Sequence, residues 1–148
     1  MKSMSLRVVG SLAAIGLTVS ASPAFAQEGG RPLKASLTGA AEKPKAGDPD
    51  GKGSATVQVN LGQKQICYDV RVSDIKTATM AHIHKAPPTE AGPAVVTLTA
   101  PSAQGKSEAC MPVEQDLAKD ILQNPGAYYV NVHNAEFPAG AVRGQLSK

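Results

Sequence analysis

Tryptophan is absent, and aromatic residues make up only 3% of the chain. There is no run of basic residues. Without a basic stripe or aromatic platforms, nucleic acid is excluded as an expected partner. No C-x-x-C pair occurs, which argues against a thiolate metal site or a thioredoxin-like redox motif. After residue 26 no apolar stretch approaches the roughly 20 residues a membrane span needs. Cysteine is confined to two positions, Cys67 and Cys110, and histidine to three.

What is present begins with a leader. "MKSMSLR" gives a basic start, "VVGSLAAIGLTVSA" an apolar run, and "ASPAFA" the small-x-small pattern of a cleavage site. This reads as a bacterial-type secretory signal, residues 1–26, cut after Ala26. The expected product, residues 27–148, is periplasmic or secreted, has no membrane segment, and is the size of one domain. Removing Lys2 and Arg7 leaves 13 basic against 12 acidic residues, so the sequence pI near 8.9 overstates its basicity. In an oxidising compartment an even cysteine count favours one disulfide, Cys67–Cys110. Chain entropy attaches roughly 4 kcal/mol to such a bond.

Short runs of alternating apolar and polar residues, punctuated by turn residues, predict strands at 33–39, 54–60, 65–72, 78–85, 94–99, 107–111, 127–134 and 141–147. One stretch differs. "PVEQDLAKDILQNPG" (112–126) spaces Val113, Leu117 and Ile121 for a helix and closes on Asn-Pro-Gly. The expected fold is all-β: an antiparallel Greek-key sandwich or flattened barrel of about eight strands, with one short helix.

The histidines fall on two of these strands, His82 and His84 in "AHIHK" and His133 in "YYVNVHN". Strand alternation puts His82 and His84 on one face with Met80, and His133 on one face with Tyr129 and Asn131. Ala81, Ile83, Val130 and Val132 take the opposite faces and suit a core. The histidines, and Arg143 on the last strand, are then expected to face outward. If the two stretches meet, three imidazoles surround one ion. Imidazole suits copper and zinc, whereas magnesium and calcium want oxygen. Spacing alone leaves copper and zinc both open. Asn131, Gln145 and Glu136 are candidates to steady the rings. Met80 shares the histidine face, and its thioether is a further possible ligand.

The stretches "LKASLTGAAEKP" (33–44), "GKGSATVQVN" (51–60), "AHIHKAPPTEAGPAVVTL" (81–98) and "YYVNVHNAEFPAGAVRGQL" (128–146) resemble the CHRD (chordin) domain family. The resemblance covers nearly all of residues 27–148. It departs at "EKPKAG", where the family often has a valine and two prolines and where no expected site residue lies. The family's chordin repeats are extracellular modules of unclear function. The site layout is also similar, more distantly, to copper-zinc superoxide dismutases. Those enzymes have an H-x-H pair on one strand, a distant third copper ligand, an arginine just before a glycine, and a structural disulfide. That similarity implies one copper ion on His82, His84 and His133, and Arg143 as the catalytic group that orients a small anion, superoxide. It also likens Cys67–Cys110 to the structural bond. No histidine is left for a zinc site, so none is expected. The ten residues from His133 to Arg143 are fewer than in those enzymes. Other readings are a non-catalytic extracellular binding module of unknown protein partner, a periplasmic copper carrier, and, last, a zinc hydrolase.

Overall fold

The structure is a computed structural model that describes residues 32–148. The expected signal segment lies outside the described residues. Eight strands form a single antiparallel sheet: β1 (Leu33–Thr38), β2 (Lys52–Asn60), β3 (Gln65–Ser73), β4 (Ala78–Lys85), β5 (Ala94–Leu98), β6 (Lys106–Pro112), β7 (Tyr128–Asn134) and β8 (Val142–Gln145). Their order across the sheet is β5-β4-β7-β8-β1-β2-β3-β6. The barrel-like expectation is the one realised, as a curled half-barrel rather than two stacked sheets.

Connectivity forces the curl. β5 and β6 are the two edges of the sheet, yet they are joined only by residues 99–105. Eight flat strands would hold their edges about 34 Å apart. The link from Leu98 to Lys106 reaches at most about 29 Å when fully extended. The edges therefore bend towards each other, and side chains tie them at the linker. Ser107 Oγ donates to the Thr99 carbonyl (2.7 Å), and the Thr99 N–H donates to the Tyr68 hydroxyl (2.7 Å).

The concave side of the curl is the core. Val57, Ile66, Val70, Ile83, Val130, Val132 and Val142 are all fully buried there, one or two from each long strand. The alternation read from the sequence assigns Ile83, Val130 and Val132 to this face correctly. The helix, α1 (Gln115–Gln123), buries Ala118 and Ile121 and closes one end. Pro112, the first residue of the stretch read as helical, ends β6, and the helix begins at Gln115. A short 3₁₀ turn, Gly39–Ala41, follows β1 and was not anticipated. Cys67 and Cys110 sit opposite each other in the β3–β6 ladder and are disulfide-bonded. No helix among the described residues is long and apolar enough to cross a membrane.

One expectation is corrected. The outer face of β7 is not open to water, whereas His82 and His84 on β4 are half-buried. All seven residues of β7 are buried, on both faces. β7 lies between β4 and β8, and the loops around residues 39–48, 86–93 and 135–141 roof its outer side. A central strand can be covered by connections as well as by a second sheet, and single-strand alternation cannot tell which.

Candidate metal centre

β4 and β7 are hydrogen-bonded neighbours in antiparallel register. Met80 is opposite His133, His82 opposite Asn131, and His84 opposite Tyr129. The fully buried Ala81, Ile83, Val130 and Val132 fix the register, because a one-residue slip would turn four aliphatic side chains out of the core. The same constraint places His82, His84 and His133 together on the outer face.

The three rings form a cluster. His82 Nδ1 lies 3.1 Å from His133 Nε2. The ring centroids are 5.1 Å apart for His82–His133, 5.4 Å for His82–His84 and 6.2 Å for His84–His133. One nitrogen from each residue falls within 4.8 Å of the others, an arrangement that could hold a metal ion. Nitrogens about 2 Å from a shared ion are about 3–4 Å from one another, so small ring movements suffice.

Hydrogen bonds set which nitrogens face inward. His84 Nδ1 donates to the Gly92 carbonyl (2.8 Å), and His133 Nδ1 donates to the Pro138 carbonyl (3.0 Å). A carbonyl can only accept, so both rings carry their proton on Nδ1 and present a bare Nε2 lone pair. His84 Nε2 is buried and has no protein partner. At the His82–His133 contact the proton belongs to His82 Nδ1, because His133 Nε2 is the acceptor; an ion held through His82 Nδ1 would require that ring to carry its proton on Nε2 instead. Burial pushes all three imidazoles below their ordinary value, and at His84 the charges of His82, His133 and Arg143 add to the effect. The rings are therefore neutral at pH 7.

Asn131, Gln145 and Glu136, the expected ring-steadying side chains, make no hydrogen bond to the rings. Two backbone carbonyls hold them, and local loop chemistry aims those carbonyls. Asn134 Oδ1 accepts the Glu136 and Phe137 N–H groups (3.1 and 2.7 Å), forming the turn that presents Pro138. The Gly92 N–H donates to the Tyr129 hydroxyl (3.2 Å). Residue 92 must be glycine, since a Cβ there would stand 2.0 Å from the Lys85 carbonyl oxygen.

Arg143 is 1% exposed. Its guanidinium donates to the carbonyls of Glu90 (2.7 Å) and Pro87 (2.9 Å) and to Gln145 Oε1 (3.3 Å). It also lies 3.5 Å from the centre of the Tyr129 ring, a cation–π contact. The His84 imidazole stacks on the same phenol at 4.8 Å, nearly parallel. Because β7 runs between β4 and β8, Tyr129 separates imidazole from guanidinium. Arg143 thus acts on the histidines through a ring and a loop, and direct contact with a bound anion requires residues 87–90 to move.

Glu42 is the residue that sequence reasoning missed. It follows the 3₁₀ turn, is 3% exposed, and accepts from Asn131 Nδ2 at 2.5 Å. Burial raises its carboxyl to about 7, against the opposing pull of Arg143 and of the Asn131 hydrogen bond. Asn131 Oδ1 is buried without a partner. Gly140, at φ +150°, leaves room for this pair; a Cβ there would meet Glu42 Oε2 at 2.4 Å. Nothing about an isolated acid in "GAAEKP" signals burial. A folded-state value above the unfolded 4.5 means that Glu42 contributes stability below pH 4.5, and that this contribution is lost as pH rises through about 7. Glu42→Gln is therefore expected to gain on the parent by roughly 3 kcal/mol between pH 4.5 and 7.5. Urea midpoints of both proteins across that range measure it; a pH-independent difference would contradict the assignment.

The family model of the CHRD domain matches residues 33–146. No curated protein and no solved structure matches the chain. The match runs from the first strand to the residue after the last, and so includes all three histidines, Arg143 and both cysteines.

Proposed function

The chain belongs to the CHRD domain family, and from that footing we propose that it is a secreted or periplasmic copper protein that disproportionates superoxide at His82, His84 and His133. One observation carries the reading: a buried, unpartnered His84 Nε2 belongs to a cluster with His82 and His133, and backbone carbonyls direct the Nδ1 protons of His84 and His133. An orphaned buried acceptor costs about 1–3 kcal/mol, and a bound ion removes that cost. Among the described residues the candidate group has three nitrogens and no carboxylate. This favours copper over the calcium and magnesium class, and the layout it shares with superoxide dismutases favours copper over zinc.

Copper held here would supply one-electron chemistry, cycling between cuprous and cupric forms. The chain's own residues do the rest. The carbonyls of Gly92 and Pro138 keep the Nε2 lone pairs aimed while the ring nitrogens stay neutral. Arg143 places a fixed positive charge behind Tyr129, which lowers the cost of an anion near the rings, and it clamps residues 87–90. Each superoxide consumed also takes up a proton. Glu42, poised near neutrality beside Asn131, holds one in the polar layer next to the site.

The test uses purified residues 27–148 loaded with copper. One ion per chain and superoxide consumption above that of free copper are expected. Undiminished activity in His133→Ala overturns the reading. The engagement of every Arg143 contact by protein groups favours a second reading, a copper carrier closed to anions. Azide perturbs the cupric spectrum if the site is open, and leaves it unchanged if the protein only carries the ion.

A further inference from the structure

Met80 is exposed to 47%, the single large hydrophobic residue so exposed among the described residues. Nothing in the packing asks for a methionine there. The neighbouring Thr79 is exposed as well, and the core side of β4 is served by Ala81 and Ile83. Its position is nonetheless constrained by the register. Parity puts Met80 on the face of His82 and His84, and the β4–β7 ladder puts it directly across from His133. Residues directly opposed in an antiparallel pair hold their Cβ atoms about 4.5–5.5 Å apart. An unbranched side chain with three rotatable bonds spans that gap easily.

The geometry points to Met80 as a fourth ligand of the histidine centre, a thioether that makes the site selective for the cuprous ion. This rests on the proposal that the three histidines bind metal, and it extends it. Three imidazoles alone suit zinc, cupric and cuprous ions alike. A soft sulfur donor distinguishes them, since thioethers favour cuprous copper and add little for zinc. The other two sides of the cluster are fixed: His84 and His133 are tied through Nδ1 to the Gly92 and Pro138 carbonyls. Met80 is untethered, so its sulfur can close on an ion or withdraw from it. The chemistry that fits is a cuprous ion entering or leaving on the Met80 side. A solvent-exposed, ligand-bearing strand position is also suited to exchanging that ion with a partner that offers sulfur ligands of its own.

The sequence supplies an internal control. Met1 and Met4 lie in the expected signal segment, leaving Met80 and Met111, and Met111 is on the far edge strand β6. With methyl-¹³C-methionine in the purified protein, one equivalent of Ag(I), or of Cu(I) under anaerobic conditions, is expected to shift the Met80 methyl resonance and leave that of Met111 in place. Zn(II) is expected to move neither. Met80→Leu keeps shape and exposure. It is expected to lower cuprous affinity about tenfold or more, while zinc affinity stays within about twofold. Ag(I) or Cu(I) bound with the Met80 methyl unmoved, or equal cuprous affinity in the leucine variant, overturns this proposal alone. Absence of binding by any of the three ions overturns the histidine centre, and this proposal falls with it.

Discussion

His133→Ala is expected to weaken copper binding by two to three orders of magnitude. The whole binding free energy of a four-ligand protein site is about 10–16 kcal/mol, which apportions to about 3–4 kcal/mol for each donor. His133 is also the donor that unites the cluster. It alone comes from β7, and its Nε2 is the atom 3.1 Å from His82. Without it, His82 and His84 remain as a strand pair of the kind any exposed H-x-H sequence offers. Competition against a chelator of known affinity measures the change, and circular dichroism of the metal-free variant checks that the sheet is intact. Replacing His84 is expected to have a comparable effect, because the orphaned Nε2 disappears with it. An affinity within tenfold of the parent for both variants would mean that the ion sits elsewhere.

Arg143→Met is expected to destabilise the metal-free protein by about 3–5 kcal/mol, the usual consequence of removing one partner from a buried charged network. Methionine fills much of the volume but leaves the Glu90 and Pro87 carbonyls without their donor and the Tyr129 ring without its cation. It also leaves Glu42 as a buried acid with no counter-charge, so its carboxyl moves up further. The two residues are coupled through this charge. In a Glu42→Gln background the same arginine change is expected to cost about 1–2 kcal/mol less at pH 8, the size typical of neighbours in one network. Denaturant titration of the four proteins closes the cycle. Additivity within about 0.5 kcal/mol would show that Glu42 and Arg143 act independently. The cycle also separates two roles for the arginine. A clamp on residues 87–90 shows as lost stability in the metal-free protein. An anion guide shows as lost superoxide consumption at full stability, for which Arg143→Lys is the informative variant.

Alternating runs along the chain were enough to place eight strands, and Ala81, Ile83, Val130 and Val132 showed which face of β4 and of β7 carries the histidines. Core burial dictates both. What alternation cannot carry is which strands become neighbours. The β4–β7 pairing that makes the site follows from the sheet order, a property of the whole chain. It also cannot say what lies above a strand. The covering loops turn Asn131, His133 and Arg143 from an expected surface into a second buried layer, with Glu42 recruited from 89 residues away. The groups that aim the imidazoles are carbonyls, which every residue possesses. Only Gly92 and the Asn134 turn mark them in the sequence, and both read there as ordinary loop punctuation.

His82 and His133 are 51 residues apart, and the segment between them holds an edge strand, the opposite edge strand and the helix. The cluster cannot exist in the nascent or unfolded chain, where the only pre-formed pair is the weak one on β4. Contacts of such long range form late, after the intervening chain has been ordered. On the proposed reading of the histidine cluster, metal capture would follow folding. The ion acquired under that proposal would be set by what is available in the compartment where folding finishes, and a chain folded on one side of a membrane would be free to carry a different metal from the same chain folded on the other.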